Sequence, residues 1–190
     1  MSRPLVVMAL EVEDRGAFAA AGIEVLFTGI GKVNAAYRLA RYLASHRPEL
    51  VVNFGTAGSR IHPRGTVLAC RRFVQRDMDV SGLGFALGET PFEDVPRELD
   101  FPPRFRGLPE GVCGTGDRFE TSGAAHACDV IDMEAYALAK VCFLEQIPFA
   151  CAKFVSDGAD DNAAIDWEAQ LETAANAFLG LYRELAGSPA

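Results

Sequence analysis

The sequence lacks the features that would place the protein in a membrane, on nucleic acid or outside the cell. No apolar run approaches the roughly 18 residues that a membrane-spanning helix requires. Basic residues number 18 against 26 acidic ones, and the net charge of −8 argues against the broad positive surface that DNA or RNA binding needs. The N-terminal segment becomes acidic after a short apolar stretch and lacks a small-residue cleavage site. We therefore expect a cytoplasmic protein without a signal peptide, membrane contact or nucleic-acid partner.

Clusters of cysteine and histidine are also missing. The cysteines are odd in number, and no pair shows the C-x-x-C spacing of a zinc or redox site. They are Cys70, Cys113, Cys128, Cys142 and Cys151. The histidines are scattered along the chain at His46, His62 and His126. This pattern predicts reduced cysteines in the core, histidines at the surface and no metal site.

Length and apolar pattern predict the fold class. A chain of 190 residues fits one domain, spanning residues 1–190, and its hydrophobic content of 49% can fill a sizeable core. Short buried runs alternate with helical stripes, which is typical of an α/β protein. Several of the runs are apolar on both faces, as in strands that helices cover on each side. The predicted strands are Leu5–Ala9, Ile23–Phe27, Leu50–Phe54, Thr66–Val74, Gly111–Thr115, Cys128–Ile131 and Phe149–Val155.

Three segments carry helical periodicity. The segment Val33–Ala44 predicts a helix whose buried face consists of Val33, Ala36, Tyr37, Ala40, Leu43 and Ala44. The segment Met133–Leu144 is apolar almost throughout, so we expect that helix to be buried nearly all round. A third helix follows Asp166, its expected N-cap, and keeps a 3.6-residue period from Trp167 to Leu185.

The segment Val80–Glu110 shows neither helical nor strand periodicity and holds five of the ten prolines. It also carries four aromatic side chains, namely Phe85, Phe92, Phe101 and Phe105. Long irregular segments in compact domains are usually functional or disordered, and the aromatic content argues against disorder. We therefore expect a lid or a subunit contact here.

Two glycine-rich segments are candidates for ligand binding. Gly29–Lys32 lies between a predicted strand and a helix, where glycines and a helix N-terminus can receive an anion, but its spacing is not that of a Walker A loop. Asn53–Ser59 directly follows an apolar strand, and a loop at the carboxyl end of such a strand borders the ligand crevice of α/β sheets. Each remains compatible with a tight turn that binds nothing.

Acidic residues follow three of the predicted strands. Glu11 and Glu13 follow the first strand, and Asp157 ends the strand that begins at Phe149. Asp132 and Glu134 end the strand from Cys128 and open the most apolar helix, with Glu134 expected one turn inside it. Carboxylates at these places either cap helices, for which Asp132 is a candidate, or perform acid–base chemistry. One crevice at the carboxyl ends of the strands would bring them together.

Seven motifs occur along the chain in a family-like order and spacing. They are MALEVE, TGIGKVNAA, NFGTAGS, DMDVSGLGF, GTGDRF, DMEAYALAKVC and FVSDGAD. From about Val6 to Ala177 the sequence thereby resembles the purine nucleoside phosphorylase/nucleosidase superfamily, and most of all the 5'-methylthioadenosine/S-adenosylhomocysteine nucleosidases. The resemblance implies a three-layer α/β/α sandwich with a twisted, mixed sheet, a homodimer, and a role in methionine salvage. It implies hydrolysis of the N-glycosidic bond of a 5'-substituted adenosine, with no cofactor.

The resemblance also implies three catalytic residues. Glu13 matches the glutamate that activates the attacking water, and Glu134 matches the carboxylate that holds the ribose 2'- and 3'-hydroxyls. Asp157 matches the aspartate that protonates purine N7. The chemistry of the reaction agrees with these roles. Cleavage builds positive charge on the ribose, which a carboxylate stabilises, and negative charge on the base, which a proton from an acid neutralises. Asp157 would need a raised pKa for this role, which burial among other acids favours.

Five further positions match substrate-binding residues of that family. Thr56 stands where the family has a serine near the water, Phe119 matches the aromatic that stacks on the purine, and Met133 matches a ribose contact. Ser156 supports Asp157, and Lys153 replaces an arginine near the water, which keeps the charge without the bidentate geometry.

Two alternatives to hydrolysis remain open. A phosphate-dependent purine nucleoside phosphorylase would need Arg71, Arg72 or Arg76 to supply the phosphate site, since Asn53 stands where the phosphorylases have an arginine. The glutamates of MALEVE repel phosphate and favour hydrolysis over this alternative. The second alternative is a non-catalytic protein that binds a nucleoside.

Three further departures from the family concern the substrate's 5' group. The segment Asp14–Ile23 is much shorter than usual and would open part of the 5' pocket. Glu120 replaces an apolar residue beside Phe119, and Leu83 stands where an aromatic often reaches the partner's pocket. The sequence therefore leaves 5'-methylthioadenosine, S-adenosylhomocysteine and 5'-deoxyadenosine as candidate substrates.

Overall fold

The computed structural model describes residues 4–121, 127–160 and 163–187. Within these ranges the chain forms an eight-stranded mixed sheet with helices on both faces. The strands are β1 Leu5–Met8, β2 Val25–Phe27, β3 Val51–Gly58, β4 Val67–Gln75, β5 Glu98–Asp100, β6 Glu110–Thr115, β7 Val130–Asp132 and β8 Phe149–Asp157. The helices are α1 Glu11–Asp14, α2 Ala17–Ala20, α3 Lys32–Leu43, α4 Ala135–Leu144 and α5 Ala163–Gly187, with a 3-10 turn at Ser81–Leu83. None of these helices is long and apolar enough to cross a bilayer.

The sheet order is β2-β1-β3-β7-β6-β4-β5, and β8 pairs with both β3 and β4. Strand β8 runs parallel to β3 and antiparallel to β4, which makes the sheet mixed. Because β3 also pairs with β7 and β4 with β6, five strands close into a ring of hydrogen-bonded neighbours. The carboxyl ends of β1, β3, β6, β7 and β8 carry the polar residues of the candidate site.

The core lies in two layers because alternate strand residues face opposite sides of the sheet. On β1, Val7 packs in the layer under α3 and α4, whereas Val6 packs in the layer under α2 and α5. The second layer is rich in aromatic rings, with Phe54 at 5.2 Å from Phe178 and 5.9 Å from Phe18 between ring centroids. The predicted three-layer α/β/α arrangement with a mixed sheet is confirmed.

All seven predicted strands are present, and most ends differ from the prediction by one or two residues. Strand β3 is the main exception, because Asn53–Gly58 continues the strand instead of forming the predicted loop. The prediction missed β5, a three-residue strand at the sheet edge in which only Leu99 is buried. So short a strand leaves too little alternation to be read from sequence.

The irregular segment before β6 is partly core. Phe101 packs edge-on against Phe73 and Phe149, and Phe105 packs against Phe54. By contrast, Phe92 is 95% exposed. Only the part near Phe92 therefore fits the expected lid or subunit contact.

The helices depart from prediction in what they bury. Helix α3 buries Ala35 and Leu39, while Val33 is 78% exposed and Tyr37 57% exposed. Of the predicted face, Ala36 and Leu43 pack against the core, but Val33 and Tyr37 were wrong. Two apolar stripes run along this helix, and the small side chain of Ala35 faces the core. Helix α5 begins at Ala163, so Asp166 lies inside its first turn and ion-pairs with Arg64 instead of serving as the N-cap.

For α4 and α5, most of the residues predicted to be buried are buried. Helix α4 is buried all round in its first half, but its last residues, Phe143 and Leu144, are exposed. On α5 the predicted stripe is buried at Leu171, Ala174, Ala175, Phe178 and Tyr182.

Candidate active site

A cavity of about 420 Å³ opens at the carboxyl ends of the strands. Seven of the eight residues predicted for the site line it, namely Glu13, Thr56, Phe119, Met133, Glu134, Ser156 and Asp157. The eighth, Lys153, is 1% exposed and lies beneath the cavity, beside Glu13 and Asp132. The remaining lining residues are Ala9, Leu10, Ile30, Ala57, Gly58, Arg76, Arg118, Glu120, Ile131, Asp132 and Trp167.

Glu13 is held by three hydrogen bonds from two neighbouring segments. Its Oε1 accepts the backbone N–H of Thr56 at 3.0 Å and the Thr56 hydroxyl at 2.9 Å. Its Oε2 accepts the N–H of Leu10 at 3.2 Å. The carboxylate lies on the short helix α1, directly after β1, and is 5% exposed. Backbone and hydroxyl donors thus fix a buried carboxylate at the edge of the cavity.

Asp157 ends β8 and has the protonation behaviour of a candidate acid. Burial raises the pKa of its carboxyl, although hydrogen bonds from the N–H of Ala159 and the hydroxyl of Ser156 oppose the rise. Those bonds are 2.9 Å to Oδ1 and 2.8 Å to Oδ2. They leave the carboxyl in one orientation, so a proton on it would be held at a defined place in the cavity.

Glu134 has a strongly raised pKa. Burial, reinforced by the negative charge of Asp132, raises its pKa to about 8. Its Oε1 accepts the N–H of Gly31 at 2.8 Å, across 103 residues of sequence. Glu134 occupies the N-cap position of α4, not a place one turn inside the helix as predicted.

Beneath the cavity, Lys153 and Asp132 form a buried ion pair. The Lys153 Nζ lies 2.9 Å from Asp132 Oδ2, and both side chains are 2% exposed. Burial by itself would lower the pKa of Lys153, but the charge of Asp132, together with the neighbouring Cys151, Cys113 and Glu134, outweighs burial and holds the pKa well above its ordinary value. Asp132 also accepts the hydroxyl of Thr115 and the N–H of Ala135, so it satisfies a backbone donor in the first turn of α4 from outside the N-cap position.

The glycines of β3 make room for these side chains. A Cβ on Gly55 would lie 3.1 Å from Lys153 Nζ and 3.6 Å from Glu13 Oε1. A Cβ on Gly58 would lie 2.7 Å from Asp157 Oδ1. The glycines of this segment therefore let functional side chains approach the strand closely, and Thr56, Ala57 and Gly58 of the same segment line the cavity.

Phe119 and Glu120 form another wall. Phe119 is 46% exposed, which leaves part of its ring open to the cavity. The Glu120 carboxylate is buried and lies 3.2 Å from Arg118 Nη2 and 3.8 Å from Arg76 Nη1. The charge that replaces an apolar family residue is therefore matched by two guanidinium groups.

The sequence analysis did not predict the contacts that three residues make in the site. Trp167 donates its indole N–H to the Thr56 hydroxyl at 2.8 Å, although its spacing indicated only a core position on α5. Asp132 was read as a helix cap, and nothing local in the sequence indicates its pairing with Lys153. Arg76 was considered only as a phosphate ligand; it lines the cavity and also packs against Gly116.

Two of the three arginines of the phosphorylase alternative lie away from the cavity, and the third, Arg76, lines it. Arg71 ion-pairs with Asp100 and Glu110 at the surface, and Arg72 lies 3.7 Å from Glu98. Neither lines the cavity.

The N-terminus of α3 is likewise occupied by carboxylates. Glu134 accepts the N–H of Gly31 and Asp117 accepts the N–H of Lys32. The positive end of this helix, which could receive an anion, is thus satisfied by the protein's own side chains.

The cysteines are free, and four of them are buried. In the described part of the chain, no group of three or more histidine, cysteine, aspartate or glutamate side chains is arranged to hold a metal ion. His46 is exposed and His62 is partly exposed, whereas His126 lies outside the described residues.

Comparison with known proteins places the chain among nucleoside-cleaving enzymes. Residues 16–186 match the family model described as the phosphorylase superfamily. The 5'-methylthioadenosine/S-adenosylhomocysteine nucleosidase of Marinomonas sp. (strain MWYL1) is 31% identical over 91% of this chain and 84% of its own length. A crystal structure of the corresponding Helicobacter pylori nucleosidase with butyl-thio-DADMe-Immucillin-A superposes with a TM-score of 0.88, at 20% identity over 97% of each chain. The native futalosine hydrolase of Helicobacter pylori superposes with a TM-score of 0.86, at 21% identity over 96% of this chain and 97% of that one.

Proposed function

Because this chain belongs to the phosphorylase superfamily, and within it to the 5'-methylthioadenosine/S-adenosylhomocysteine nucleosidases, we propose that it hydrolyses the N-glycosidic bond of a 5'-substituted adenosine. The products would be adenine and the 5'-substituted ribose, made within a single nucleoside phosphorylase-like domain. The observation that carries the proposal is that one cavity holds both a carboxylate fixed by three donors, Glu13, and a carboxyl of raised pKa, Asp157.

In the proposed reaction the bond between ribose C1' and purine N9 breaks, and a bond from C1' to a water oxygen forms. Asp157 gives its proton to purine N7, so the base leaves as a neutral molecule. Glu134 holds the ribose hydroxyls, and the negative charge of the Glu13 carboxylate at the edge of the same cavity stabilises the positive ribose that develops as the bond breaks. Glu13 takes the proton that the attacking water loses. The raised pKa of Asp157 supports its role, since the group must be protonated before the base departs.

The remaining contacts of the substrate follow from the same placement. Phe119 would stack on the purine, and Met133 would pack on the ribose beside Glu134. Thr56 would hold Glu13, Ser156 would hold Asp157, and Lys153 would offset the negative charge of the carboxylates from below. Ala9, Leu10, Ile30 and Trp167 add an apolar section to the wall, and this leaves the three candidate 5' groups open.

Hydrolysis is favoured over phosphorolysis by the charges around the cavity. Glu13 lies where an incoming anion would be repelled, and the helix terminus at Gly31 already binds Glu134. The test is adenine release from 5'-methylthioadenosine, S-adenosylhomocysteine and 5'-deoxyadenosine, without phosphate and with it. Release without phosphate supports the proposal and ranks the substrates. Release only with phosphate would make the protein a phosphorylase.

The competing proposal of a non-catalytic nucleoside-binding protein is tested by replacing the acid. We expect Asp157→Asn to lower turnover at least a hundredfold, in the range of general acid catalysis, with substrate affinity changed much less. Asp100→Asn makes the same chemical change at a surface ion pair and should leave turnover intact. Unchanged turnover in the Asp157 variant would refute its role, and binding without turnover in the wild type would favour the binding protein.

A homodimer is part of the proposal. Five large apolar side chains on α3 and in the segment between β4 and β5 are more than half exposed. Two lie on α3 and three in that segment, namely Val33, Tyr37, Leu83, Leu87 and Phe92. Exposed apolar surface of this kind is unfavourable in water and is typical of an interface that a second copy of the chain covers. Light scattering coupled to size exclusion should give twice the monomer mass, and Val33→Asp should shift the protein towards monomer.

We also propose a cytoplasmic location and a role in methionine salvage. The location is supported by five free cysteines, since a reducing compartment preserves thiols. The role follows from the sulphur-bearing ribose that cleavage of 5'-methylthioadenosine would release. Cell fractionation and growth on 5'-methylthioadenosine as sulphur source test the two statements.

A further inference from the structure

A chain of hydrogen bonds connects α5 to the candidate base Glu13. The indole N–H of Trp167 donates to the Thr56 hydroxyl oxygen at 2.8 Å, and the Thr56 hydroxyl lies 2.9 Å from Glu13 Oε1. The two bonds join residues 111 and 43 positions apart in sequence. Helix α5 also packs against α1, the helix that carries Glu13.

The direction of these bonds is fixed by what each group can do. An indole N–H only donates, and a carboxylate only accepts, whereas a hydroxyl has one hydrogen and two lone pairs. With Trp167 directed at the oxygen of Thr56, the hydroxyl hydrogen is left to point at Glu13. The indole therefore holds the hydroxyl in the rotamer that donates to the carboxylate.

We propose that Trp167 is a positioning residue that acts on Glu13 through Thr56. It orients the Thr56 hydroxyl and thereby keeps Glu13 Oε1 engaged, so that the carboxylate is presented to the attacking water in one geometry. This inference rests on the proposed role of Glu13 as the base. It assigns to Trp167 a polar function besides its contribution to the cavity wall.

A double-mutant cycle isolates this function from simple packing. Trp167→Phe removes the N–H and keeps an aromatic ring, and we expect kcat to fall about two- to tenfold, the range for one net hydrogen bond. In a Thr56→Val background, which has no hydroxyl to orient, the same change should lower kcat less than twofold. In a Thr56→Ser background the hydroxyl returns, and the loss should match that in the wild type. Equal losses in all three backgrounds would refute the proposal.

A matched control is available on the same helix. Tyr182 is buried on α5, and its hydroxyl has no hydrogen-bond partner among the described residues. Tyr182→Phe removes one polar hydrogen from the helix without affecting Thr56, so its kcat should equal that of the wild type. A loss equal to that of Trp167→Phe would assign the effect to the helix as a whole.

Fluorescence gives a readout that does not depend on catalysis. Trp167 is the only tryptophan, so the emission of the protein reports on its indole alone. Thr56→Val removes the acceptor and should shift the emission to shorter wavelength, whereas Thr56→Ser should not. An unchanged spectrum in Thr56→Val would refute the contact, even if Trp167→Phe failed to fold. Absence of wild-type nucleosidase activity would refute the proposed function and this role with it, whereas equal losses in an active enzyme would refute the role of Trp167 alone.

Discussion

Glu134 should make the stability of the protein depend on pH, and the size of the effect follows from its surroundings. Burial and the neighbouring charge of Asp132 raise its pKa from an ordinary value of 4.5 to about 8 in the folded protein. A folded-state pKa above the unfolded one means that stability is greatest below the unfolded value and is lost as pH rises through the folded value. At about 1.36 kcal/mol per pKa unit, the full change is roughly 5 kcal/mol.

The perturbation is Glu134→Gln, which keeps the shape and an oxygen able to accept the N–H of Gly31 but cannot ionise. The free energy of unfolding of both proteins is measured by urea denaturation between about pH 5 and pH 9. The wild type should lose roughly 3 to 5 kcal/mol relative to the variant over this interval, with most of the loss centred between pH 4.5 and about 8.

The exposed residue Glu11, on α1, supplies the control. Glu11→Gln should show no such pH-dependent difference, because its carboxyl stays in water in both states. A difference between wild type and Glu134→Gln that is constant with pH would refute the argument that burial and Asp132 together disfavour the charged form.

The remaining predictions concern the floor of the cavity and one helix glycine. Gly58→Ala places a Cβ 2.7 Å from Asp157 Oδ1, so turnover should fall at least tenfold while the protein stays folded; retained turnover would show that the carboxyl can move without loss. Gly180→Ala, on α5 with nothing within 4 Å of the new Cβ, should leave turnover intact and raise the unfolding free energy by about 0.5 to 1 kcal/mol, measured by urea denaturation. Lys153→Met leaves Asp132 buried and uncompensated, so stability at neutral pH should fall by roughly 3 to 5 kcal/mol, and less near pH 5, where Asp132 can take up a proton; an equal loss at both pH values would contradict this.

The prediction of the strands and the candidate carboxylates depended on patterns that are local in sequence. Apolar runs of strand length marked all seven strands that were predicted, and β8 is buried at every one of its nine positions. Because such runs end where the chain meets the sheet edge, Asp132 and Asp157 were identified as carboxylates at strand ends. Glu13 was identified in the same way, directly after β1, and it lines the same cavity as Asp157.

At two places the local sequence was compatible with two structures, and it could not distinguish between them. Helix α3 carries two apolar stripes, and only packing against the sheet decided that Ala35 and Leu39 are buried while Val33 and Tyr37 face outward. The glycines of β3 resembled a ligand-binding loop, because glycine permits a close approach of any group. The structure shows that the groups that approach Gly55 and Gly58 are Lys153 and Asp157.

The sequence by itself determined the α/β class, most of the strands and the carboxylates at their ends, because hydrophobic burial imposes a period along the chain. Tertiary structure alone decided the partners: Lys153 with Asp132, Glu134 with Gly31, and Trp167 with Thr56. Each pair depends on strand register and on the packing of a helix over the sheet. No local pattern records these distances, because the residues meet only when β7 and β8 lie beside β3 and α5 covers the cavity.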